Sequence, residues 1–450
     1  MNITHSILNP SPIPKDIQVS SIPGDKSISH RALMIGAIAN NKSQFHGLLL
    51  SHDCMHTLAI LRQLGCPIQL DHSQGQIQIQ GQGRHGLKAP DKPLFVGNSG
   101  TSIRLLTGLL SAQCFACEIS GDPSICQRPM NRIISPLTNM GGQIQGQEKE
   151  SDCYPPLKIQ KSGPRAPINY TLPVASAQVK SALLFGSLYC QEQSCIIEPA
   201  PCRDHSERML AFFGADIQVN GPEILCSGRN ELSCPTQTSI QIPKDFSSAA
   251  FLIVLGLISP NSTLTLTHIG INPTRSKLLD ILIQMGAKIE ISELPSQLEP
   301  CANITVHSSE LQNIEIAEQD IPIIIDEIPI LAIAGLFAKG EFKISGAKEL
   351  RFKESDRIES TAKLLQKFGA TVSTKEDGFT MNAHPDGTQL PQGPIMSEHD
   401  HRIAMAATVA SIASQHPIQI NHTECIKTSF PNFFEILETH WQLNCHHLSV

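Results

Sequence analysis

Positively charged residues stand at or near the start of several strongly apolar segments of this chain. Lys26 directly precedes the first such segment and Arg31 lies within it, while Arg104, Lys180 and Arg402 belong to three others. The start of a helix already carries unpaired amide donors and the positive end of the helix dipole, so a cation there is unfavourable unless an anion binds beside it. Together these residues predict a site for a small polyanion.

Loops elsewhere in the sequence add to this positive charge. The loop Gly97–Thr101 (GNSGT) combines two glycines with three small polar residues, which allows backbone amides to approach an oxyanion closely. Arg128 lies in GDPSICQRPM, and Lys427 lies in KTSFPNF. We expect both cations to contribute to the same anion site.

Carboxylates lie among these cations and could act as an acid and a base. Glu354 belongs to the run KESDR, which has four charges in five residues and begins a predicted helix. Asp326 follows the apolar run IPIII, which we interpret as a buried strand. A carboxylate in that position is seldom there for solubility alone. Both residues are therefore candidates for general acid–base catalysis.

Six apolar segments must position these residues. A helix that is apolar on all sides is a buried helix, and segments of 10 to 13 residues are too short to cross a bilayer, which needs about 20. The predicted buried helices are Ser27–Ala39, Thr101–Ala112, Ala177–Leu188, Ser247–Ile258, Ile328–Ala338 and Arg402–Ala413.

A second pattern recurs in step with the first. Five amphipathic segments end at a glycine and are followed by a strand-like alternation, and a sixth copy near Trp441 lacks the glycine. Glycine is the expected helix stop, because it adopts the left-handed backbone without penalty. The repeat therefore holds two helices with short strands between and after them. The five glycines are Gly65, Gly141, Gly214, Gly286 and Gly369.

Six such repeats exceed one hydrophobic core, so 450 residues predict two domains of three repeats each. Proline residues before the first and fourth buried helices place the boundaries. We expect an inserted domain over 24–242 and a discontinuous domain made of 1–23 and 243–450. The segment IQVSSI near the N-terminus is typical of a strand, which we expect to pair with the C-terminal half.

Composition excludes other classes of protein. A net charge of −7 and 4% aromatic residues argue against a nucleic-acid surface. We expect the fourteen cysteines to be reduced thiols of a cytoplasmic protein without leader peptide or membrane anchor.

Gly24–Ser27 lacks the glycine spacing of a P-loop. His399 and His401 flank one residue on a stretch expected to be extended, without a third ligand nearby, and we predict no metal site.

The residues alone therefore indicate a two-domain α/β protein that binds a small polyanion in a cleft between the domains. An enzyme acting on a phosphorylated carboxylic acid is favoured by the interspersed carboxylates. A binding module is the other possibility, and a turnover assay distinguishes the two.

Nine segments then resemble, in order and over nearly the whole chain, the 5-enolpyruvylshikimate-3-phosphate (EPSP) synthase family. These are PGDKSISHRALMIGAIA, GNSGTSIRLL, GDPSICQRPM, SAQVKSALL, RDHSERML, IDEIPILAIAGLFAKG, LRFKESDRI, DHRIAMA and KTSFPNFF. The resemblance implies two domains, each of three β-α-β-α-β-β repeats with buried helices, arranged as an inside-out α/β barrel. It also implies transfer of the enolpyruvyl group of phosphoenolpyruvate to the 5-hydroxyl of shikimate 3-phosphate, with release of phosphate. No metal, cofactor or nucleic acid is implied, and a monomer is expected.

The resemblance assigns ligands residue by residue. Those implied for shikimate 3-phosphate are Lys26, Ser27, Arg31, Ser176, Ala177, Gln178, Arg203, Asp326 and Lys353. Those implied for phosphoenolpyruvate are Lys26, Gly100, Arg128, Gln178, Arg357, Arg402 and Lys427. Arginine pairs suit a carboxylate and lysines suit a phosphate.

The same resemblance suggests catalytic roles. Asp326 is the expected base for the 5-hydroxyl, and Glu354 is the expected acid for the methylene carbon. Lys26 and Arg128 would stabilise the leaving phosphate. His401 would support the proton relay.

Some positions depart from the family pattern. Arg203 stands where better-known members have a tyrosine, and Glu349 stands where some have asparagine. SAQVKSA and RDHSERM resemble one class of the family, whereas Gly100 resembles the class that the herbicide glyphosate inhibits.

Two alternatives remain at this point. A sibling transferase that acts on UDP-N-acetylglucosamine needs a cysteine five residues before the equivalent of Arg128, where this chain has Pro123. Cys126 lies at another offset. A non-catalytic anion-binding paralogue is disfavoured, because every charged catalytic position is filled.

Overall fold

The computed structural model describes residues 4–71, 75–384 and 387–449. Its helices are α1 (Lys26–Ile38), α2 (His52–Gln63), α3 (Gly100–Leu110), α4 (Asn131–Asn139), α5 (Ala177–Ser187), α6 (His205–Phe212), α7 (Phe246–Ile258), α8 (Lys277–Gln284), α9 (Ile321–Ile324), α10 (Ile328–Leu336), α11 (Arg357–Lys367), α12 (His401–Ser414) and α13 (Phe433–Trp441).

The strands alternate with these helices along the chain. They are β1 (Thr4–Asn9), β2 (Asp16–Val19), β3 (Lys42–His46), β4 (Ile68–Asp71), β5 (Gln76–Gln80), β6 (Leu94–Phe95), β7 (Cys117–Ser120), β8 (Ile144–Lys149), β9 (Asp152–Ile159), β10 (Asn169–Thr171), β11 (Ser194–Ile197), β12 (Asp216–Asn220), β13 (Glu223–Ser227), β14 (Ile240–Gln241), β15 (Thr263–Gly270), β16 (Lys288–Leu294), β17 (Cys301–His307), β18 (Phe342–Ile344), β19 (Thr371–Lys375), β20 (Gly378–Asn382), β21 (Ile395–Met396), β22 (Ile418–Asn421) and β23 (Asn444–Ser449).

Contacts divide the chain into two compact units. Unit 1 comprises the segment up to Pro23, Pro243–Pro295 and the segment from Pro300 onward, and unit 2 comprises Gly24–Ile242 and Ser296–Glu299. Each unit has its own apolar core. The short segment Ser296–Glu299 belongs to unit 2 because Leu298 is buried in that core and Glu299 pairs with His205 at 2.7 Å.

The six predicted buried helices are confirmed as α1, α3, α5, α7, α10 and α12, each starting within one residue of its predicted start. Nearly every residue of these helices is buried, including all nine of α10. Asp25, Ser99, Ser176, Asp245 and Asp400 cap five of them by accepting hydrogen bonds from backbone amides of the first turn. Such caps favour helix starts at these positions.

The predicted helix stops are also confirmed. Gly65, Gly141, Gly214, Gly286 and Gly369 all have φ between 83° and 98°, each two residues beyond the end of an amphipathic helix. In the sixth copy Gln442 takes this place with φ 52°, directly after Trp441. A non-glycine residue in the left-handed region is uncommon, which explains why the glycine pattern alone does not detect this copy.

The strands of the described residues form six separate sheets. Their orders are β14-β3-β5-β4, β6-β7-β9-β8 and β10-β11-β13-β12 in unit 2, and β16-β17-β15-β2, β18-β20-β19 and β21-β22-β1-β23 in unit 1. The repeated α/β class is therefore confirmed, although the sheets do not close into a true barrel. The N-terminal strand β2 pairs in parallel with β15, as predicted, and β1 completes the last sheet.

One local prediction is wrong. The apolar run before Asp326 was expected to be a buried strand, but Ile321–Ile324 forms the short helix α9 and the residues after it form a turn. Pro322 at the start of α9 suits the first turn of a helix, where no amide donor is required. None of the described helices is long and apolar enough to traverse a bilayer.

Candidate active site

Unit 2 gathers polar side chains around the first residue of α3. A Cβ atom built on Gly100 would lie 2.9 Å from Nη1 of Arg104, 3.1 Å from Nη1 of Arg128 and 3.9 Å from Nε2 of Gln178. Arg104 also donates a hydrogen bond to Oε1 of Gln178 at 2.8 Å, which joins α3 to α5. Glycine therefore leaves room beside two guanidinium groups and a side-chain amide at the starts of two buried helices.

Arg128 is oriented by the glycine loop. Its Nη2 donates to Oδ1 of Asn98 at 2.8 Å. Gln178 donates to Oγ1 of Thr101 at 3.2 Å. Asn98 and Thr101 both belong to the loop Gly97–Thr101, so this loop binds the Arg128 and Gln178 side chains as well as offering backbone amides.

The side chain of Arg31, which lies in α1, contacts residues of the neighbouring helices α5 and α6. Its guanidinium donates to Ser206 Oγ at 2.7 Å, to Ser181 Oγ at 2.7 Å and to the carbonyl of Ser27 at 2.9 Å. All three of these acceptors are neutral oxygens. Burial lowers the pKa of Arg31 to about 10, and the positive charge of Arg203 acts in the same direction. Arg31 and Arg203 thus influence each other electrostatically.

Lys26 starts α1 and forms an ion pair with Asp53 at 3.0 Å. The lysine is about one quarter exposed and the aspartate is nearly buried. Ser176 caps α5 by accepting a hydrogen bond from the Val179 amide at 3.4 Å, which places Ala177 and Gln178 in the first turn.

Lys180 contradicts the sequence-based prediction. It was grouped with the cations expected to face an anion, but its side chain is fully buried and lies 2.7 Å from Glu198 and 2.5 Å from Glu207. Burial lowers the pKa of Lys180, yet the neighbouring Glu207, Cys202 and Glu198 more than offset this and raise it above its ordinary value. Lys180 is therefore a permanent cation of the interior.

Unit 1 contains a second cluster centred on Arg357, the first residue of α11. Its guanidinium lies 3.1 Å from Asp326, 2.6 Å from Glu354 and 2.8 Å from Asp400, and only 1% of its side chain is exposed. Burial lowers the pKa of Arg357, but Asp400, Glu354 and Asp326 together raise it well above its usual range. One buried cation thus fixes the directions of three carboxylates.

Asp326 is also held by two further cations. Lys353 Nζ lies 3.4 Å from the Asp326 carboxylate, and Arg402 donates to the Asp326 carbonyl at 2.7 Å. Arg402 lies 3.4 Å from Glu327, which in turn accepts a hydrogen bond from Ser247. The starts of α7, α10 and α12 are therefore linked by one polar network.

Unit 1 also contains the predicted site residues Lys427 and His401. Lys427 is exposed within the 3₁₀ helix Thr423–Thr428, and His401 is buried as the first residue of α12. His401 follows Asp400, which caps α12 by accepting from the Arg402 amide at 2.9 Å.

Several residues that organise these clusters were not predicted from the sequence. Asp400 and Glu327 directly precede α12 and α10, so an acidic residue before an apolar helix could have identified the Asp400 cap. No comparable sequence pattern identifies Asp53, because its pairing with Lys26 depends on how α1 and α2 pack. The view that no further metal ligand lies near His399 is also wrong, because His422 and Glu424 lie beside it.

A family model described as EPSP synthase (3-phosphoshikimate 1-carboxyvinyltransferase) matches residues 10–437. The 3-phosphoshikimate 1-carboxyvinyltransferase of Alkalilimnicola ehrlichii is 45% identical over 92% of this chain and 91% of its own length. That of Methylococcus capsulatus is 43% identical over 93% of each. The chain belongs to the EPSP synthase family. The enolpyruvyl transfer class suggested by the motifs is confirmed by these matches.

Solved structures agree with this assignment. EPSP synthase from Acinetobacter baumannii is 40% identical and superposes with a TM-score of 0.86 over 99% of this chain and 100% of its own. The enolpyruvyl transferase NikO from Streptomyces tendae has a TM-score of 0.76 at 14% identity, over 100% of each chain, and so shares the fold. The two polar clusters therefore belong to a member of the EPSP synthase family.

Proposed function

We propose that this member of the EPSP synthase family transfers the enolpyruvyl group of phosphoenolpyruvate to the 5-hydroxyl of shikimate 3-phosphate and releases phosphate. The proposal depends above all on Asp326, whose carboxylate lies within 3.4 Å of both Lys353 and Arg357. A carboxylate fixed in this way can accept a proton while the surrounding cations hold anionic substrates. The two named substrates carry phosphate and carboxylate groups that suit such cations.

We assign shikimate 3-phosphate to a set of nine residues. Lysine and arginine provide charge for the phosphate and the ring carboxylate, while serine and glutamine side chains provide neutral hydrogen bonds. The proposed ligands are Lys26, Ser27, Arg31, Ser176, Ala177, Gln178, Arg203, Asp326 and Lys353.

Phosphoenolpyruvate is assigned to a second set that overlaps the first. Nη1 of Arg104 and Nη1 of Arg128 both lie within about 3 Å of the position that a Cβ atom on Gly100 would take, so two positive charges favour an anion beside Gly100. The proposed ligands are Lys26, Gly100, Arg128, Gln178, Arg357, Arg402 and Lys427.

The reaction requires two proton movements during addition. Asp326 takes the proton of the 5-hydroxyl as the oxygen attacks C2 of phosphoenolpyruvate, and Glu354 gives a proton to the methylene carbon. A carboxylate paired with an arginine favours its charged form, so Glu354 must take up a proton before it can donate one. Elimination then returns a proton from the new methyl group to the Glu354 carboxylate and expels phosphate beside Lys26 and Arg128. His401 supports the proton relay.

Phosphate release tests this function directly. The purified chain is mixed with phosphoenolpyruvate and either shikimate 3-phosphate or UDP-N-acetylglucosamine, and phosphate is measured over time. We expect release only with shikimate 3-phosphate. Release only with UDP-N-acetylglucosamine would support the sibling transferase, and binding of shikimate 3-phosphate without any release would support a non-catalytic paralogue.

Three further assignments accompany this function. We propose that 1–23 with 243–450, and 24–242, are the two structural domains of the enzyme. We also propose that the protein works in the cytoplasm as a monomer. The chemistry described above requires neither a metal nor an organic cofactor at the reacting atoms.

A further inference from the structure

A group of metal-ligating side chains lies in unit 1 outside the proposed substrate residues. We propose that His399, His422 and Glu424 bind a divalent transition-metal cation, with Zn²⁺ as the reference ion. One potential ligand atom from each residue lies within 4.8 Å of the other two. The His399 Nδ1 atom is 3.5 Å from Oε1 of Glu424, and the His422 Nδ1 atom is 3.8 Å from the same oxygen.

These separations suit a shared cation. Zinc binds histidine nitrogen and carboxylate oxygen at about 2.0–2.2 Å in tetrahedral geometry, which places neighbouring ligand atoms about 3.3–3.5 Å apart. The two distances to Glu424 are at or slightly above this spacing, so small side-chain rotations would complete the geometry. Two imidazoles and a carboxylate form a ligand set that zinc, copper and nickel accept.

An orphaned buried atom supports the same conclusion. His422 Nδ1 is buried without a partner at hydrogen-bonding distance. The ring centroids of His422 and His399 lie 4.0 Å apart, so the two imidazoles are already adjacent without a cation. A buried nitrogen without a hydrogen bond has a free-energy cost that metal coordination would remove.

Solvent can reach the site from one side. The His399 side chain is 63% exposed, whereas those of His422 and Glu424 are 19% and 12% exposed. A cation can therefore enter at His399, and a water molecule can supply the fourth ligand.

The site would join two segments of unit 1 that both continue into proposed substrate residues. His399 lies shortly before Arg402 in the chain, and Glu424 lies in the 3₁₀ helix that also contains Lys427. Ser397 Oγ already donates to the His422 carbonyl at 3.2 Å. A bound cation would add a stronger link between these segments and stabilise the folded state against the unfolded state.

A second group of side chains could also bind a metal cation. Among the described residues, Glu438, Cys445 and His447 also lie close enough together to hold a cation. However, His447 Nδ1 is within 2.8 Å of Ser6 Oγ and so already has a hydrogen-bond partner. Any experiment must separate this group from the proposed site.

Zinc binding to chelator-treated, full-length protein provides the test, measured by isothermal titration calorimetry. The variants are His399→Asn and His422→Asn, because both histidines have left-handed backbones, with φ 57° and 61°, that asparagine tolerates. His268→Asn is the matched control, since His268 is an exposed histidine with φ 58° outside both groups. Cys445→Ser controls for the competing group.

We expect one zinc ion per chain at this site. Its dissociation constant should rise at least tenfold in His399→Asn and His422→Asn and stay within twofold in His268→Asn and Cys445→Ser. Glu424→Gln should behave like the histidine variants, and zinc should raise the thermal unfolding temperature of the wild type but not of His422→Asn.

Cobalt substitution distinguishes the ligand sets by spectroscopy. Co²⁺ bound to histidine and carboxylate should show d–d bands without a thiolate charge-transfer band, whereas coordination by Cys445 would produce that band. The proposal is overturned if the wild type binds no stoichiometric zinc, or if binding survives in His422→Asn and disappears in Cys445→Ser.

Discussion

The Asp326 carboxylate lies 3.1 Å from Nη1 of Arg357, and Nε of the same guanidinium lies 2.8 Å from Asp400. Because Arg357 is buried between these partners, the direction of the Asp326 side chain is set before any substrate binds. Lys353, 3.4 Å from the same Asp326 oxygen, adds a second positive neighbour. A base that is already oriented spends little free energy on rearrangement during the reaction.

Replacing Asp326 with asparagine should remove the proposed base and keep the shape of the side chain. We expect turnover to fall by about 100-fold or more, because general base catalysis contributes roughly 10²- to 10⁴-fold. Asp356→Asn is the control, since Asp356 caps α11 and asparagine caps helices equally well. Steady-state phosphate release measures both, and a loss of less than tenfold in Asp326→Asn would exclude the assigned role.

Replacing Glu354 with glutamine tests the proposed acid. The variant should bind shikimate 3-phosphate within a few fold of the wild type but turn over about 100-fold more slowly or worse. Glu359→Gln provides the control, because this residue lies in the first turn of α11 and contacts Arg351, not Arg357. Calorimetric binding and phosphate release should separate affinity from turnover. If turnover drops less than tenfold, Glu354 does not supply the proton.

The buried helices and their stops were predictable because they depend on local sequence. An apolar run such as Ile328–Leu336 has no polar face to expose, and a glycine such as Gly286 relieves the steric penalty of a left-handed helix end. The same reasoning fails for Gln442, which adopts that backbone without being glycine.

The direction of individual side chains was less predictable. Lys180 follows the first turn of α5 in sequence, but packing of α5 against neighbouring elements brings Glu198 and Glu207 to it. His422 and Glu424 lie more than twenty residues beyond His399, so only the folded chain reveals that the three side chains meet. Such contacts depend on tertiary packing, which neither periodicity nor motif spacing reports.

His30 provides a prediction about stability and pH. Burial lowers its pKa from 6.5 to about 3, and its Nδ1 lies 2.8 Å from Thr57 Oγ1. The unfolded chain therefore binds a proton more readily than the folded chain, so stability is retained above pH 6.5 and lost as pH falls from 6.5 towards 3. Once the histidine of the unfolded chain is fully protonated, the free energy of unfolding falls by about 1.4 kcal/mol for each pH unit within that window.

His30→Asn should reduce this acid sensitivity, because asparagine does not titrate. We expect the fall in unfolding free energy between pH 6.5 and pH 5 to be smaller in the variant by about 1–2 kcal/mol. Urea unfolding at several pH values gives, for each protein, the slope of the unfolding free energy against pH. Equal slopes in the two proteins would show that His30 is not neutral in the folded state.

Gly100→Ala should weaken glyphosate inhibition more than it weakens the use of phosphoenolpyruvate. The added methyl group would lie 2.9 Å from Arg104 and 3.1 Å from Arg128, so both guanidinium groups would have to shift. Glyphosate is slightly longer than phosphoenolpyruvate and should meet this crowding first. A clash of about 1–3 kcal/mol corresponds to roughly a 5- to 150-fold loss of affinity.

The glyphosate inhibition constant and the KM for phosphoenolpyruvate, measured for wild type and Gly100→Ala, decide whether this crowding is selective. Gly163→Ala is the control, because a Cβ atom there would meet nothing within 4 Å and should change neither constant. A shared increase in both constants would show that the methyl group disturbs the arginines equally for both ligands, against the steric argument. An inhibition constant that rises at least fivefold more than KM would show instead that Gly100 provides the space in which the longer inhibitor fits.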